Sequence, residues 1–287
     1  MTTVLVTGAT GFIGNYVIAE LLKQDIAVIA TSSNKEKAKQ YDWFNKVNYK
    51  PLDFTKLDNS VNYYDYFGKP DLLIHLAWEG LPNYKNEFHI TENLPRHSLF
   101  IENLITNGLK NITITGTCFE YGMQEGKLSE DMICYPDNAY AIAKDRLRVQ
   151  IEKIQLKVPK LIFKWIRLFY MFGNGQNPNS LFLQLTKALH ENRKAFNMSG
   201  GDQIRDFLPV ETVADNIVKI AFQNNITGII NCCSGIPITV KQFIENYLIS
   251  VNKNIKLNLG YYPYSDLEPM KFWGDNSKLY KIIENAG

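Results

Sequence analysis

Hydrophobic and polar positions alternate in blocks along the first 170 residues. TVLVT (3–7) is a short β-branched run and predicts a strand. A glycine-rich turn follows, then a helical pattern from Phe12 to Lys23. IAVIAT (26–31) predicts a second strand, followed by a polar helix through 34–40. KVNYKPLD (46–53) predicts a third strand. A polar, aromatic helix near 56–67 leads to DLLIHLAW (71–78), the fourth. A long helical stretch covers 86–107, and NITITG (111–116) is the fifth strand. A loop of about 20 residues then leads to a helix near 138–156 and to LIFKWIRL (161–168), the sixth. Short apolar strands separated by helices require crossover connections, hence a parallel sheet.

After about 170 the pattern loosens. Gly173, Gly175 and Pro178 mark turns. A helix near 179–192, a strand around 203–209, a helix near 211–222 and the apolar run GIINCC (228–233) follow. The expected fold class is α/β, a doubly wound parallel sheet. Residues 1–168 form its main domain and 169–287 a smaller lobe, from which segments near 210–235 return to the sheet.

Composition narrows the partners. The 287 residues carry 31 basic and 29 acidic side chains, scattered rather than blocked, for a net charge of +2. No strong field points to nucleic acid or an acidic membrane. No apolar run approaches the roughly 18 residues of a membrane span. The most apolar stretch, 161–172, carries Lys164 and Arg167. The N-terminus has neither a basic segment nor a long apolar one, so a cytoplasmic protein is expected. Cys118, Cys134, Cys232 and Cys233 form no CxxC pair, and the four histidines show no zinc spacing. Reduced thiols and no metal site are expected.

Candidate chemistry begins at TGATGFIG, with Gly8, Gly11 and Gly14 between a strand and a helix. Gly8 allows a sharp turn, Gly11 lets a pyrophosphate approach the backbone, and Gly14 lets the helix pack closely. The helix N-terminus, with Thr10, Phe12 and Ile13 around it, offers free N–H groups to phosphate. This context predicts a Rossmann dinucleotide site. The second strand ends in Thr31, Ser32, Ser33 and Asn34, with Lys35 and Lys37 beyond. No carboxylate stands where one would read the 2′-hydroxyl of NAD, which favours NADP(H), with NAD(H) as the alternative. The same residues would also serve as the N-cap of the next helix.

Tyr140 and Lys144, in YAIAK, fall on one face of a helix four residues apart. An ammonium beside a phenol is expected to lower the phenol's pKa and fit it for proton exchange with a carbonyl or alcohol.

TGATGFIG, HLAW, the hydroxyl ending strand five and YAIAK together resemble the extended short-chain dehydrogenase/reductases. More narrowly, they resemble the NAD(P)-dependent epimerase/dehydratase group acting on nucleotide sugars. GGDQIRDFLPVETVA (200–214) and FWGDNSKL (272–279) are similar to that group's later motifs. The resemblance implies that Thr117 bonds the substrate oxygen and Tyr140 exchanges the proton. Lys144 would hold the nicotinamide ribose. Asp53 would contact adenine, with Phe54 beside it, although Asp53 also suits a helix N-cap. Leu76 and Ala77 would back the cofactor, and Asn93 matches a buried Asn of the fourth helix. Arg205 would fork onto the nucleotide diphosphate, or pair structurally with Asp206. Asp275 and Lys278 are weaker candidates in the substrate lobe. A homodimer through helices 86–107 and 138–156 is a further implication.

Family members that dehydrate sugars follow the active-site Thr with Asp-Glu. Here Cys118 and Phe119 follow Thr117. A ring has no proton to give, and no histidine is placed to activate the thiol. Glu120 comes one place late and, in an extended segment, would point away. Both neighbours are therefore expected to be wall, with Tyr170 a substrate contact where the family has Asn. The expected activity is NADPH-dependent reduction of a nucleotide-linked 4-keto-6-deoxy sugar. An NAD-dependent 4-epimerase is the alternative, and a non-catalytic NADP-binding regulator comes third.

Overall fold

The computed structural model describes residues 2–266 and 268–285. Seven strands form one sheet: β1 (Thr3–Thr7), β2 (Ala27–Thr31), β3 (Asn48–Tyr49), β4 (Leu72–His75), β5 (Asn111–Thr117), β7 (Ile162–Leu168) and β12 (Gly228–Cys232). Their order is β12-β7-β5-β4-β1-β2-β3, and every pairing is parallel. Among the described residues, eight further short strands pair outside this sheet: β6 (Gly126–Leu128) with β15 (Phe272–Gly274), β8 (Tyr170–Phe172) with β11 (Phe207–Pro209), β9 (Ala195–Asn197) with β14 (Lys256–Asn258), and β10 (Ile204–Arg205) with β13 (Ile238–Thr239).

Both faces of the sheet are covered, as a parallel sheet requires. On one face, helices Phe12–Lys23, Val210–Phe222 and Ser277–Glu284 bury Val4, Val6, Ile18, Ile217 and Leu279. On the other, Leu94–Thr106 and Ala139–Lys157 bury Leu5, Leu73, Phe100, Leu147 and Trp165. Phe182, Leu185, Phe196, Phe243 and Ile244 form a separate hydrophobic core. Chain order reverses between β1 and β4, so a crevice opens at the carboxyl ends of these two strands.

Several elements differ from the pattern-based expectation. The helix near 56–67 shrinks to Tyr63–Tyr66, because Asp58 turns the chain by accepting the Ser60 N–H at 2.8 Å. The third strand keeps two residues and stops before Pro51. The loop after β5 contains a one-turn helix, Cys118–Tyr121, and β6. The strand near 203–209 breaks at Asp206, whose carboxylate accepts N–H bonds from Ser234 (2.7 Å), Gly235 (2.8 Å) and Gly274 (3.3 Å). Asp206 thus ties three segments together and is not the partner of Arg205.

Candidate active site

The crevice between β1 and β4 opens into a cleft of about 390 Å³. Its floor is the glycine turn. Gly8 has φ +69°, and a Cβ there would lie 2.8 Å from the Ala77 nitrogen. A Cβ on Gly14 would meet the Gly8 carbonyl oxygen at 2.2 Å. The close approach of turn, helix and β4 therefore depends on these two glycines. Gly11 begins helix Phe12–Lys23 with no side-chain cap and no acidic residue in the first turn. The first N–H groups of this 12-residue helix are left to a phosphate. A dinucleotide's pyrophosphate fits that cradle. Phe12, Ile13 and Leu76 line the cleft beside it. Thr10 lies buried, its carbonyl accepting the Tyr41 hydroxyl at 3.1 Å.

At the end of β2, Thr31 Oγ1 is buried without a partner among the described residues. The Ser32 hydroxyl lies 2.9 Å from that of Tyr49. Ser33 and Lys35 are exposed, and Asn34 caps the short helix Lys35–Ala38 by accepting the Lys37 N–H at 2.9 Å. The capping role falls to Asn34, leaving Ser33 and Lys35 clear of it. Asp53 caps Phe54–Lys56 and accepts from Thr55 N at 2.9 Å and Thr55 Oγ1 at 2.7 Å. The Phe54 ring is in the core, 4.6 Å from that of His97, so only its backbone is left for a cofactor.

Across the cleft stand Thr117, at the end of β5, and Tyr140, in the first turn of Ala139–Lys157, where Asn138 caps by accepting the Ala141 N–H at 3.0 Å. Both are buried, and Lys144 lies one turn below. Lys144 Nζ donates to the Thr115 carbonyl at 2.8 Å and lies 4.1 Å from the centre of the Trp78 ring.

The expected lowering of the Tyr140 pKa is not found. Burial pushes the phenol well up, with Tyr84, Glu120 and Cys118 adding to the rise and Thr117 offsetting part of it. Burial also brings Lys144 down to about 7, against the attraction of Glu120 and Glu79. Burial acts on each group separately, against the phenolate of Tyr140 and against the ammonium of Lys144, and for the phenol it outweighs the help expected from the spacing of four. Tyr140 is therefore a protonated donor at neutral pH.

Glu120 also differs from expectation. The chain turns after Thr117, so the Glu120 carboxylate folds back and accepts the Thr117 N–H at 2.9 Å. It also accepts from Trp165 Nε1 at 3.0 Å and Arg167 Nε at 2.8 Å, with both members of the ion pair fully buried. Thr117 returns a cap to Phe119 N at 3.3 Å. This Thr-x-x-Glu capping box was visible in TCFE and shapes the site. Gly116 leaves room for it, since a Cβ there would touch Trp165 Nε1 at 2.2 Å and Glu120 Oε1 at 2.3 Å.

Cys118 and Phe119 line the cleft. Burial pushes the Cys118 thiol far up, which makes it a poor nucleophile. Tyr170 lines the same cleft, and its hydroxyl has no partner among the described residues. Arg205 sits behind it, 5.7 Å from the ring centre. Its Nε meets Glu268 at 3.1 Å, and its Nη1 bonds the carbonyls of Ile204 (2.8 Å) and Met270 (3.0 Å). These contacts occupy Nε and Nη1, and Arg205 is buried and does not line the cleft. Asn93 is buried and donates to the Glu79 carbonyl at 3.0 Å. Asp275 caps Ser277, and Lys278 bonds the Ile229 carbonyl at 3.1 Å, away from the cleft.

The sequence reading missed Trp78, Leu81, Pro82, Tyr84 and Gln176, which also line the cleft. The signal for the first four was a glycine- and proline-bearing loop directly after β4, where crevice ligands bind. Among the described residues, no group of His, Cys, Asp or Glu is gathered to hold a metal. No helix there is long and apolar enough to cross a membrane.

Residues 4–233 match the model of the NAD dependent epimerase/dehydratase family. The chain belongs to that family. It is 29% identical, over 94% of its length and 98% of the relative's, to dTDP-6-deoxy-L-talose 4-dehydrogenase (NAD(+)) of Aggregatibacter actinomycetemcomitans. It is 23% identical, over 87% of its length and 82% of the relative's, to dTDP-4-dehydro-6-deoxyglucose reductase of Escherichia coli. Its fold matches that of a UDP-glucuronic acid 4-epimerase from Bacillus cereus with a TM-score of 0.83 at 22% identity, covering 99% of this chain and 93% of that one.

Proposed function

We propose that this family member reduces the keto group of a nucleotide-linked 4-keto-6-deoxy sugar. The observation that carries the reading is the acid set of the cleft. Thr117 and Tyr140 face it, while the neighbouring carboxylate, Glu120, is tied to Arg167, Trp165 and Thr117. A phenol without a free carboxylate beside it suits proton exchange at one oxygen and does not suit removal of water. Cys118 and Phe119 offer an apolar wall to a deoxy carbon. The names of the 6-deoxytalose and 6-deoxyglucose relatives agree with this substrate class.

In this account Thr117 orients the keto oxygen and Tyr140 donates the proton to it. Lys144 holds the cofactor ribose and supplies positive charge to the site. Arg205 would reach the diphosphate only by giving up its pairing with Glu268 behind Tyr170. A nicotinamide dinucleotide held with its pyrophosphate at the glycine turn would supply the hydride. We read the cofactor as NADPH from Ser32, Ser33 and Lys35, with no carboxylate at the end of β2.

A 4-epimerase with retained NAD would use the same Thr117, Tyr140 and Lys144, and the structural match to a 4-epimerase favours it as the second reading. Titration of the purified protein distinguishes the two. NADPH is expected to bind at least about tenfold tighter than NADH, a difference of about 1.4 kcal/mol. Release of tightly held NAD on denaturation would overturn the cofactor assignment and put the epimerase first.

A further inference from the structure

His89 and His97 pack against Trp78 and His75 bonds His97, and their hydrogen bonds fix how each is protonated. Thr7 Oγ1 accepts the N–H groups of Leu76 (3.2 Å) and Ala77 (3.3 Å), so its own proton points to His75 Nδ1 at 2.8 Å. His75 must then donate from Nε2 to His97 Nδ1 at 2.9 Å, and His97 from Nε2 to the Glu79 carboxylate at 3.0 Å. His89 Nδ1 accepts the Trp78 indole N–H at 3.0 Å, leaving its Nε2 to donate to the Asn83 carbonyl at 3.1 Å. Each nitrogen is accounted for with one proton per ring, so all three imidazoles are neutral. Burial acts in the same direction on all three.

This network fixes the indole. Its edge is bonded to His89, and its face stacks on His97 with ring centres 4.7 Å apart and planes 19° apart. The Lys144 ammonium lies 4.1 Å from the Trp78 ring centre, inside the range of a cation–π contact. Among the described residues its one hydrogen bond is to the Thr115 carbonyl. The Tyr140 ring is 6.1 Å from Trp78, edge to face.

We propose that Trp78 is a positioning residue: its indole face seats the Lys144 ammonium and keeps it charged beside Tyr140. The inference rests on the catalytic reading of Lys144. Glu120 and Glu79 act on that ammonium, it acts in turn on the neutral His75, His89 and His97, and Tyr140 lies one helical turn away. Glu79 and Glu120 attract it, and burial opposes its charge. Trp78 adds a π face to the Thr115 hydrogen bond that this desolvated cation makes.

The test follows the Lys144 Nζ signal in apo protein with ¹⁵N-labelled lysine, assigned by Lys144→Arg, as pH is raised. Trp78→Leu is expected to lower the titration midpoint by about one pH unit, from the usual size of a desolvated cation–π contact. Trp78→Phe keeps a weaker π face and is expected to lower it by less. An unmoved midpoint in Trp78→Leu overturns the proposal, and so does an equal fall in the Phe and Leu variants. If Trp78→Leu does not fold, an unmoved midpoint in Trp78→Phe overturns it. No substrate is present, so the result is independent of whether the enzyme is a reductase.

Discussion

Tyr140→Phe is expected to lower kcat for sugar reduction by about 10²–10⁴-fold and to leave nucleotide binding unchanged. The ring and its packing against Tyr84 and His89 remain, and only the donated proton is lost. The pH dependence of the wild-type enzyme follows from the same residue. Burial raises the phenol's pKa, so the acid form persists through neutral pH into the alkaline range. Reduction, which needs that acid, is expected to hold its rate across neutral pH and fall at alkaline pH. Oxidation of the alcohol needs the phenolate and is expected to gain rate as pH rises. Steady-state rates in both directions, measured against pH, check both signs. Equal kcat in Tyr140→Phe and wild type would contradict the assignment of the proton donor.

Glu120→Gln is expected to destabilise the protein by about 3–5 kcal/mol, because it leaves the Arg167 guanidinium buried without its countercharge. Arg167 Nη1 already lacks a partner among the described residues, so little is available to take over the lost contact. Replacing both members, as Glu120→Gln with Arg167→Met, is expected to recover part of the loss. Urea unfolding of the wild type and these two variants measures it. The effect should reach the site as well, since Glu120 holds the Thr117 N–H and so sets the turn that presents the Thr117 side chain. A Glu120→Gln midpoint equal to wild type would show that the ion pair does not support this turn.

The sheet was legible because its strands are β-branched runs framed by glycines and helical patterns. Helix Phe12–Lys23 has the predicted bounds, and Ala139–Lys157 lies close to them. The polar stretch 56–67 was not legible, because local Asp and Asn side chains compete with the helix for backbone N–H groups. The cleft was legible where glycines and the Tyr–Lys spacing carry it. Trp78 and Tyr84 were missed because a loop's path after a strand is set by tertiary packing and not by periodicity. The acidity of Tyr140 was misjudged for a related reason. A spacing of four places Lys144 near the phenol, but the spacing says nothing of the burial that acts on both. Glu120 was misread by treating TCFE as extended, although its capping-box pattern was present in the sequence.

The most direct test of the account is product stoichiometry. The purified protein would be given a nucleotide-linked 4-keto-6-deoxy hexose and NADPH, with sugar and cofactor quantified together. The account predicts one NADPH oxidised for each keto group reduced, and no reaction when the reduced cofactor is left out. Interconversion of nucleotide sugars differing at C4 with no net change in cofactor would contradict it and establish the epimerase.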